Sequence, residues 1–293
     1  MAEAQGPMVD PSGQSEIFDR RRRRSVRDRA FQRADGPDIF SELMVEAVFD
    51  NLSLVNRDFR HCLVMGLAAP QLVNRLADQG INAVVADASY EVARATKGVQ
   101  CDEDRLPFAD HSFDLAITIG TLDTVNDLPG ALALQLRALK PDGLFLGAFV
   151  GAESLGKLKA ALMDAEGPSV SAHIHPQIDI RTMGDLLSRI GFKLAVVDGD
   201  RHQLRYAHME KLVDDLRNAG GSNLLVGSNR PLSRSVYIRA VESFAERADP
   251  DGKTSENFEF INICAWAPHP DQPVPARRGS GKVSLRKALD KGE

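Results

Sequence analysis

Cysteine is scarce: Cys62, Cys101 and Cys264 are the only three, far apart and in no CxxC spacing. That excludes a disulfide framework and a cysteine-rich structural zinc site, fits a reducing compartment, and leads to the expectation of a cytoplasmic protein. Long apolar runs are also missing. No stretch approaches the roughly 20 residues of a membrane span, and the opening MAEAQGPMVDPSGQSE has neither a cationic n-region nor an apolar h-region, so neither a spanning helix nor an export signal is expected. Charge of one sign is absent as well. With 36 basic against 41 acidic side chains the net charge is -5, which offers no global attraction to nucleic acid or anionic membrane. Nucleic acid is therefore not an expected partner. Glycine is sparse where a nucleotide-binding loop concentrates it: HCLVMGLAAPQLVNRL, from His61, contains Gly66 and then Ala68, Ala69 and Pro70.

What is present divides into four parts. Residues 1–15 are small, polar and Pro/Gly-rich, the composition of a disordered segment. Residues 16–38 hold EIFDRRRRRSVRDRAFQRAD, a basic helix whose arginines are interleaved with Glu16, Asp19 and Asp28. Its plainest reading is a solvated, salt-bridge-laced helix; the sharper ones are a lid over a ligand or a docking surface for an acidic or membrane-associated partner. Acidic residues within the run argue against a mitochondrial presequence. Residues 39–268 alternate helical and strand-like patterns, from IFSELMVEAVFDNLSLV through strands CLVMG, NAVVADAS, LAITIG and LFLGAFV to the later strands FKLAVVDGD and FEFINICAWA. Short apolar strands alternating with helices require crossover connections. The expected fold is α/β, a doubly wound, mostly parallel seven-stranded sheet with an antiparallel edge. Residues 269–293 form a Pro/Gly-rich tail.

Ligands of open parallel sheets bind beyond the carboxyl ends of the strands. Those ends are Gly66, then Asp87, then Asp102-Glu103-Asp104, then Gly120 to Asp123. Asp87 lies 21 residues after Gly66, where an acidic residue accepts ribose hydroxyls in nucleotide-binding βαβ units. Either Gly66 and Ala68 open a cofactor loop, or the segment is an ordinary strand-to-helix turn with Pro70 in the first helical turn. Asp123 is the catalytic candidate, able to orient or deprotonate an acceptor, or else a cap or loop residue. In HIHPQID, His173 and His175 share one side of an extended segment with Asp179 nearby, a pattern compatible with a two-histidine, one-carboxylate iron site and equally with backbone hydrogen bonding; no metal is assigned. Asn126 and Asp127 precede a helix and are expected to cap it.

The segments LPFADHSFD and LKPDG, flanking LAITIGTLDTVNDLPGALALQLRA, resemble class I S-adenosylmethionine-dependent methyltransferases. That resemblance implies a Rossmann-like fold, S-adenosylmethionine as cofactor, and Asp102, or its neighbour Glu103, near the adenine amino group. With Gly66, Ala68, Asp87 and Gly120 they form the expected cofactor set. IFDRRRRRSVRDRA, TVNDLPGAL, HIHPQIDIRTMGDLLSRIGF, ENFEFINICAWAPHPDQP and RRGSGKVSL are similar to the bacterial form of the methyltransferase-like assembly factors of respiratory complex I, a group near the carrier-protein methyltransferases of biotin synthesis. Membership implies a methyltransferase-like protein acting on a protein or carrier-linked substrate, with a complex I subunit as partner and a peripheral contact with a membrane-associated assembly. The alternative is a non-methylating assembly factor, either an arginine hydroxylase or a binding module. Two positions depart from the family pattern: the loop reads GLAAP, and LDT (Leu122, Asp123, Thr124) stands where LHW is common.

Overall fold

Helices α1 (Arg20–Arg33) and α2 (Ile39–Ser53) precede the first strand, β1 (His61–Met65). Then follow α3 (Ala69–Asp78), β2 (Asn82–Asp87), α4 (Tyr90–Thr96), β3 (Val99–Gln100), β4 (Phe113–Ile119), α5 (Leu128–Ala138) and β5 (Leu139–Val150). The chain ends with α6 (Gly156–Glu166), α7 (Ile180–Ile190), β6 (Lys193–Tyr206), α8 (Met209–Asn218), α9 (Arg234–Ala245) and β7 (Thr254–Trp266). The computed structural model describes residues 16–33, 36, 38–167, 173–227 and 232–273. The expectations for residues 1–15 and for 274–293 of the tail, including RRGSGKVSL, fall outside the described residues.

The strands form one sheet in the order β3-β2-β1-β4-β5-β7-β6. β1 pairs in parallel with β2 and β4, β2 with β3, and β4 with β5, while β7 runs antiparallel to both β5 and β6. The expected mostly parallel, seven-stranded α/β sheet with an antiparallel edge is the fold observed. Alternation along each strand decides the layering. Cys62 and Val64 of β1 and Ile117 of β4 join a core with α2, α3, α6, α8 and α9. Leu63, Met65 and Ala116 join the opposite core with α5 and α7. Strands buried on both faces are the mark of a parallel sheet sandwiched by helices, and this is why β1 and β4 read as unbroken apolar runs.

Each helix on the first face must be held in register before its apolar stripe can bury. Asp38 does this for α2: its carboxylate accepts from the backbone N–H of Phe40 and Ser41, and Ser41 Oγ donates to it at 2.5 Å. Phe40, Met44 and Val48 then pack on the sheet. Asp38→Ala is expected to lower unfolding free energy by about 1 kcal/mol, measured by urea denaturation.

Two segments differ from the sequence expectation. The turn Pro141-Asp142-Gly143 lies within β5 as an irregularity, with Asp142 at φ +62. Asp142 N–H donates to Ala267 O at 3.2 Å and Ala267 N–H to Gly143 O at 2.8 Å, so the residue just past β7 supplies partners that a free turn lacks and the strand continues through the bend. β6 and β7 also run longer than their apolar patterns, pairing out to Tyr206 and Thr254. Cross-strand hydrogen bonds extend a strand past its apolar portion wherever the partner is long enough.

Candidate functional site

The strand order reverses between β1 and β4, and the crevice of a doubly wound sheet opens at such a point. Gly66 and Gly120 close the two strands there, at φ +130 and +62. A methyl on Gly66 would stand 2.2 Å from Ile119 O, so the chain has glycine because β4 crosses against it. Ala68 sits at φ -75 as the N-cap of α3, and neither Ala68 nor Ala69 requires the left-handed region. The loop therefore needs one glycine for its own geometry, and two alanines fit in place of others. Ala68 also lines a cavity of about 340 Å³ with Ala30, Phe31, Asp38, Leu67 and Gln71.

Asp87, at the end of β2, is completely buried. Its Oδ1 accepts from Ser89 N at 2.7 Å and Arg27 Nε at 3.1 Å. Its Oδ2 accepts from Gly66 N at 3.1 Å and Arg27 Nη2 at 2.6 Å. Arg27 Nη1 also donates to Gly120 O at 3.3 Å. The adjoining acidic cluster meets the same helix. Both oxygens of Glu103, itself fully buried, accept from Arg23 at 2.7 Å. Asp104 accepts from Arg20 through both oxygens, and Asp102 Oδ2 accepts from Arg24 at 2.6 Å while its Oδ1 has no hydrogen-bond partner among the described residues. Arg23 further donates to Thr124 Oγ1 at 3.1 Å.

The electrostatics follow from this pairing. Burial works against the charge of Glu103, but the Arg23 guanidinium outweighs it and holds the carboxyl below the ordinary carboxylate range. Burial likewise opposes the charge of Arg23, and Glu103 more than offsets it. Cys101, beside the cluster, is pushed up to about 12 by burial and then by Glu103 and Asp102, which keeps it a thiol rather than a nucleophile. Asp123 lies on the short 3-10 turn Leu122–Thr124, half-buried, with no hydrogen-bond partner for Oδ1 among the described residues. Burial raises its pKa.

The basic helix is thus not a solvated face. Its arginines at 20, 23, 24 and 27 recur at helical spacing on one side, and Arg23 and Arg27 are both buried. Sequence reasoning placed the carboxylates and the helix separately and missed that they are partners. Two signals were present: that i, i+3, i+4, i+7 spacing, and a triple acid at residues 102–104 with no other clustered base to face it.

The approach to α1 is clamped by groups assigned other roles from sequence. Asn126 does not cap α5; its Oδ1 accepts from Ile17 N and Phe18 N and its Nδ2 donates to Phe18 O, while Asp127 alone caps α5. Phe18, Val26, Leu224 and Leu225 form a small apolar cluster. His175 Nε2 accepts from Leu224 N at 2.9 Å, and its ring meets Phe18 edge-on. His173 instead contacts Glu166 at 2.6 Å, and Asp179 caps α7, so the three groups of HIHPQID go to three different partners. Burial pushes His175 down to about 4. The fold therefore favours its neutral form. That contribution is complete above the ordinary histidine value near 6.5 and is lost as pH falls toward 4. His175→Gln should flatten the unfolding free energy over this interval relative to the parent; parallel curves would refute the assignment.

With the geometry in view, the likenesses to known proteins take on meaning. Residues 63–147 match the methyltransferase domain family. The chain is 32% identical over 284 residues to the mitochondrial arginine-hydroxylase NDUFAF5 of Danio rerio, across 92% of this chain and 88% of that one. It is 28% identical over 268 residues to the malonyl-[acyl-carrier protein] O-methyltransferase of Halorhodospira halophila, across 87% and 90% of the two chains. A putative methyltransferase from Bacillus halodurans superposes with TM-score 0.55 at 12% identity, covering 76% of this chain and 100% of that one, a likeness of fold alone. The architecture is that of the class I S-adenosylmethionine-dependent methyltransferases, with a methyltransferase-like site at the crevice. The expected cytoplasmic location is corrected by the Danio rerio protein, whose name places it in mitochondria. Cysteine usage reports redox poise and does not separate one reducing compartment from another.

Proposed function

The chain belongs to the family of the arginine-hydroxylase NDUFAF5, and from that premise we propose that it serves respiratory complex I assembly by acting on an arginine of a protein subunit, without methyl transfer. The observation that carries this is the occupancy of Asp87. A carboxylate offers about four lone-pair positions, and Ser89 N, Gly66 N and the two arms of Arg27 take them. The ribose hydroxyls of S-adenosylmethionine would need that carboxylate, and both oxygens of Glu103 are committed in the same way. As folded, the crevice and S-adenosylmethionine do not fit one another. The guanidinium groups it holds as folded are the chain's own, Arg23 on Glu103 and Arg27 on Asp87, in the bidentate pairs by which carboxylates recognise arginine. No helix among the described residues is long and apolar enough to cross a membrane, so contact with the membrane-associated assembly is proposed to run through the protein partner.

The test is the intact mass and peptide map of the complex I subunits from a deletion strain. Loss of one oxygen atom from an arginine-containing peptide is the expected result. Loss of a methyl group, or subunits of unchanged mass, would sink the proposal. One observation favours a second reading, methyl transfer to a protein or carrier-linked acceptor: Asp123, on the turn after β4, keeps a buried oxygen with no hydrogen-bond partner among the described residues, a group free to orient such an acceptor if the crevice opens to it. Methylated product that disappears in Asp123→Asn would select it.

A further inference from the structure

Helix α1 has eight arginines and a single acid in its 14 residues, yet it lies in the crevice where a doubly wound sheet receives its ligand. We infer that α1 is a tethered occupant of a nucleoside site: Arg27 holds the place on Asp87 that the vicinal diol of a ribonucleoside takes, so a ribonucleoside enters only when α1 lifts. This rests on the reading of Asp87 as the ribose carboxylate.

The two groups are chemically interchangeable at that position. A diol presents two O–H donors side by side to the two oxygens of a carboxylate, and the Nε and Nη2 of Arg27 present the same fork at 3.1 and 2.6 Å. They exclude one another, because Gly66 N and Ser89 N already occupy the remaining acceptor positions. Arg23 fills the neighbouring stretch of the crevice, between Glu103 and the turn at Thr121 and Thr124. Beside the last turn of α1, at Ala30 and Phe31, a separate cavity of about 340 Å³ reaches Leu67 and Ala68 of the loop after β1. Arginine thus fills only the stretch bearing the strand-end carboxylates.

The hold on α1 is of a kind that can exchange. Its apolar anchorage is Val26, in the small cluster with Phe18, Leu224 and Leu225, together with the buried Ala30 and the half-buried Phe31 at the edge of the main core; its remaining side-chain contacts are polar. Arg20, Arg23, Arg24 and Arg27 meet carboxylates, Asp28 accepts from Ser89 Oγ and Glu91 N, and Asn126 clamps the backbone before the helix. An element secured mainly by polar contacts, with few buried apolar ones, opens at lower free energy than the core. Any acidic partner that captured the released arginines would raise nucleoside affinity by the same factor that the nucleoside raises its own.

Calorimetric titration of the full chain and of Arg27→Ala with S-adenosylhomocysteine tests this. A tethered competitor lowers apparent affinity by the fraction of molecules that are open, so Arg27→Ala should bind at least about tenfold more tightly. Unchanged or weaker binding overturns the inference. A second measurement uses the unsubstituted chain and does not depend on the variant folding: trypsin cleavage within residues 20–33 should accelerate when S-adenosylhomocysteine is added at millimolar concentration. Slower cleavage would mean that α1 closes over the ligand, and unchanged cleavage that the two do not compete; either result overturns it. Neither readout bears on subunit mass in the deletion strain, so this inference and the proposed function fail separately.

Discussion

Arg23→Ala will lower unfolding free energy by about 3–5 kcal/mol, the cost of leaving a buried charge without its partner. Arg23 is 3% exposed and Glu103 is 0% exposed. Truncation removes two charge-assisted hydrogen bonds at 2.7 Å together with the contact to Thr124, and water cannot take their place without opening α1. Glu103 then either stays ionised in a dry site or takes up a proton. Arg24 provides the contrast on the same helix. Its side chain is 40% exposed, and the buried Asp102 keeps Arg20 Nη1 at 3.3 Å as a second cation, so Arg24→Ala should cost clearly less than Arg23→Ala, on the order of 1 kcal/mol. Replacing the pair together, Arg23→Met with Glu103→Leu, should restore most of the loss, since an apolar pair of similar volume avoids desolvating two charges. The acid limb carries the same information. Because the folded-state pKa of Glu103 is depressed, its contribution is present above the ordinary value near 4.5 and is lost as pH falls through the folded value. If Arg23→Ala unfolds within about 1 kcal/mol of the parent, the arginine is a surface group and the assigned burial is wrong.

Gly66→Ala is expected to cost about 4 kcal/mol or more, which combines a steric conflict with backbone strain. The residue adopts φ +130, and the added methyl would lie 2.2 Å from Ile119 O and 3.2 Å from Ile119 C. Those atoms belong to the end of β4 in the middle of the sheet, so no flexible side chain is there to move aside. Relief requires parting β1 from β4, whose register holds Met65 opposite Thr118. A large fall in melting temperature and in soluble yield should follow, with or without any nucleoside present. Loss of ligand binding in this variant would therefore reflect the sheet rather than a missing contact. A melting temperature within a few degrees of the parent would show that the loop relaxes and that Gly66 is there for a ligand.

Much of the architecture was legible because it depends on local pattern. The apolar runs CLVM and LAITI had to be strands buried on both faces, since neither shows the alternation of a half-exposed strand, and helices between them had to cross over. Gly66, Asp87, the acids at 102–104 and Gly120 were legible as strand ends for the same reason: in a parallel sheet the carboxyl ends follow from strand order alone. The Pro141-Asp142-Gly143 segment was less so, because its continuation as strand depends on hydrogen bonds from Ala267, far away in sequence. The length of β6 was hidden similarly. Its residues are largely exposed, and it is β7 that specifies how far it runs.

By itself, then, the sequence determined the class of sheet, the positions of its strand ends and the set of carboxylates gathered there, because side-chain periodicity and turn chemistry are properties of short segments. Only the tertiary structure decided what those carboxylates bind. Asp87 and Arg27 are 60 residues apart, and Glu103 and Arg23 are 80 apart. Nothing local distinguishes an arginine that faces water from one that faces a buried acid. The difference is made by where α1 docks, and that depends on Asn126, His175 and Leu224, which lie about 100 to 200 residues further along the chain.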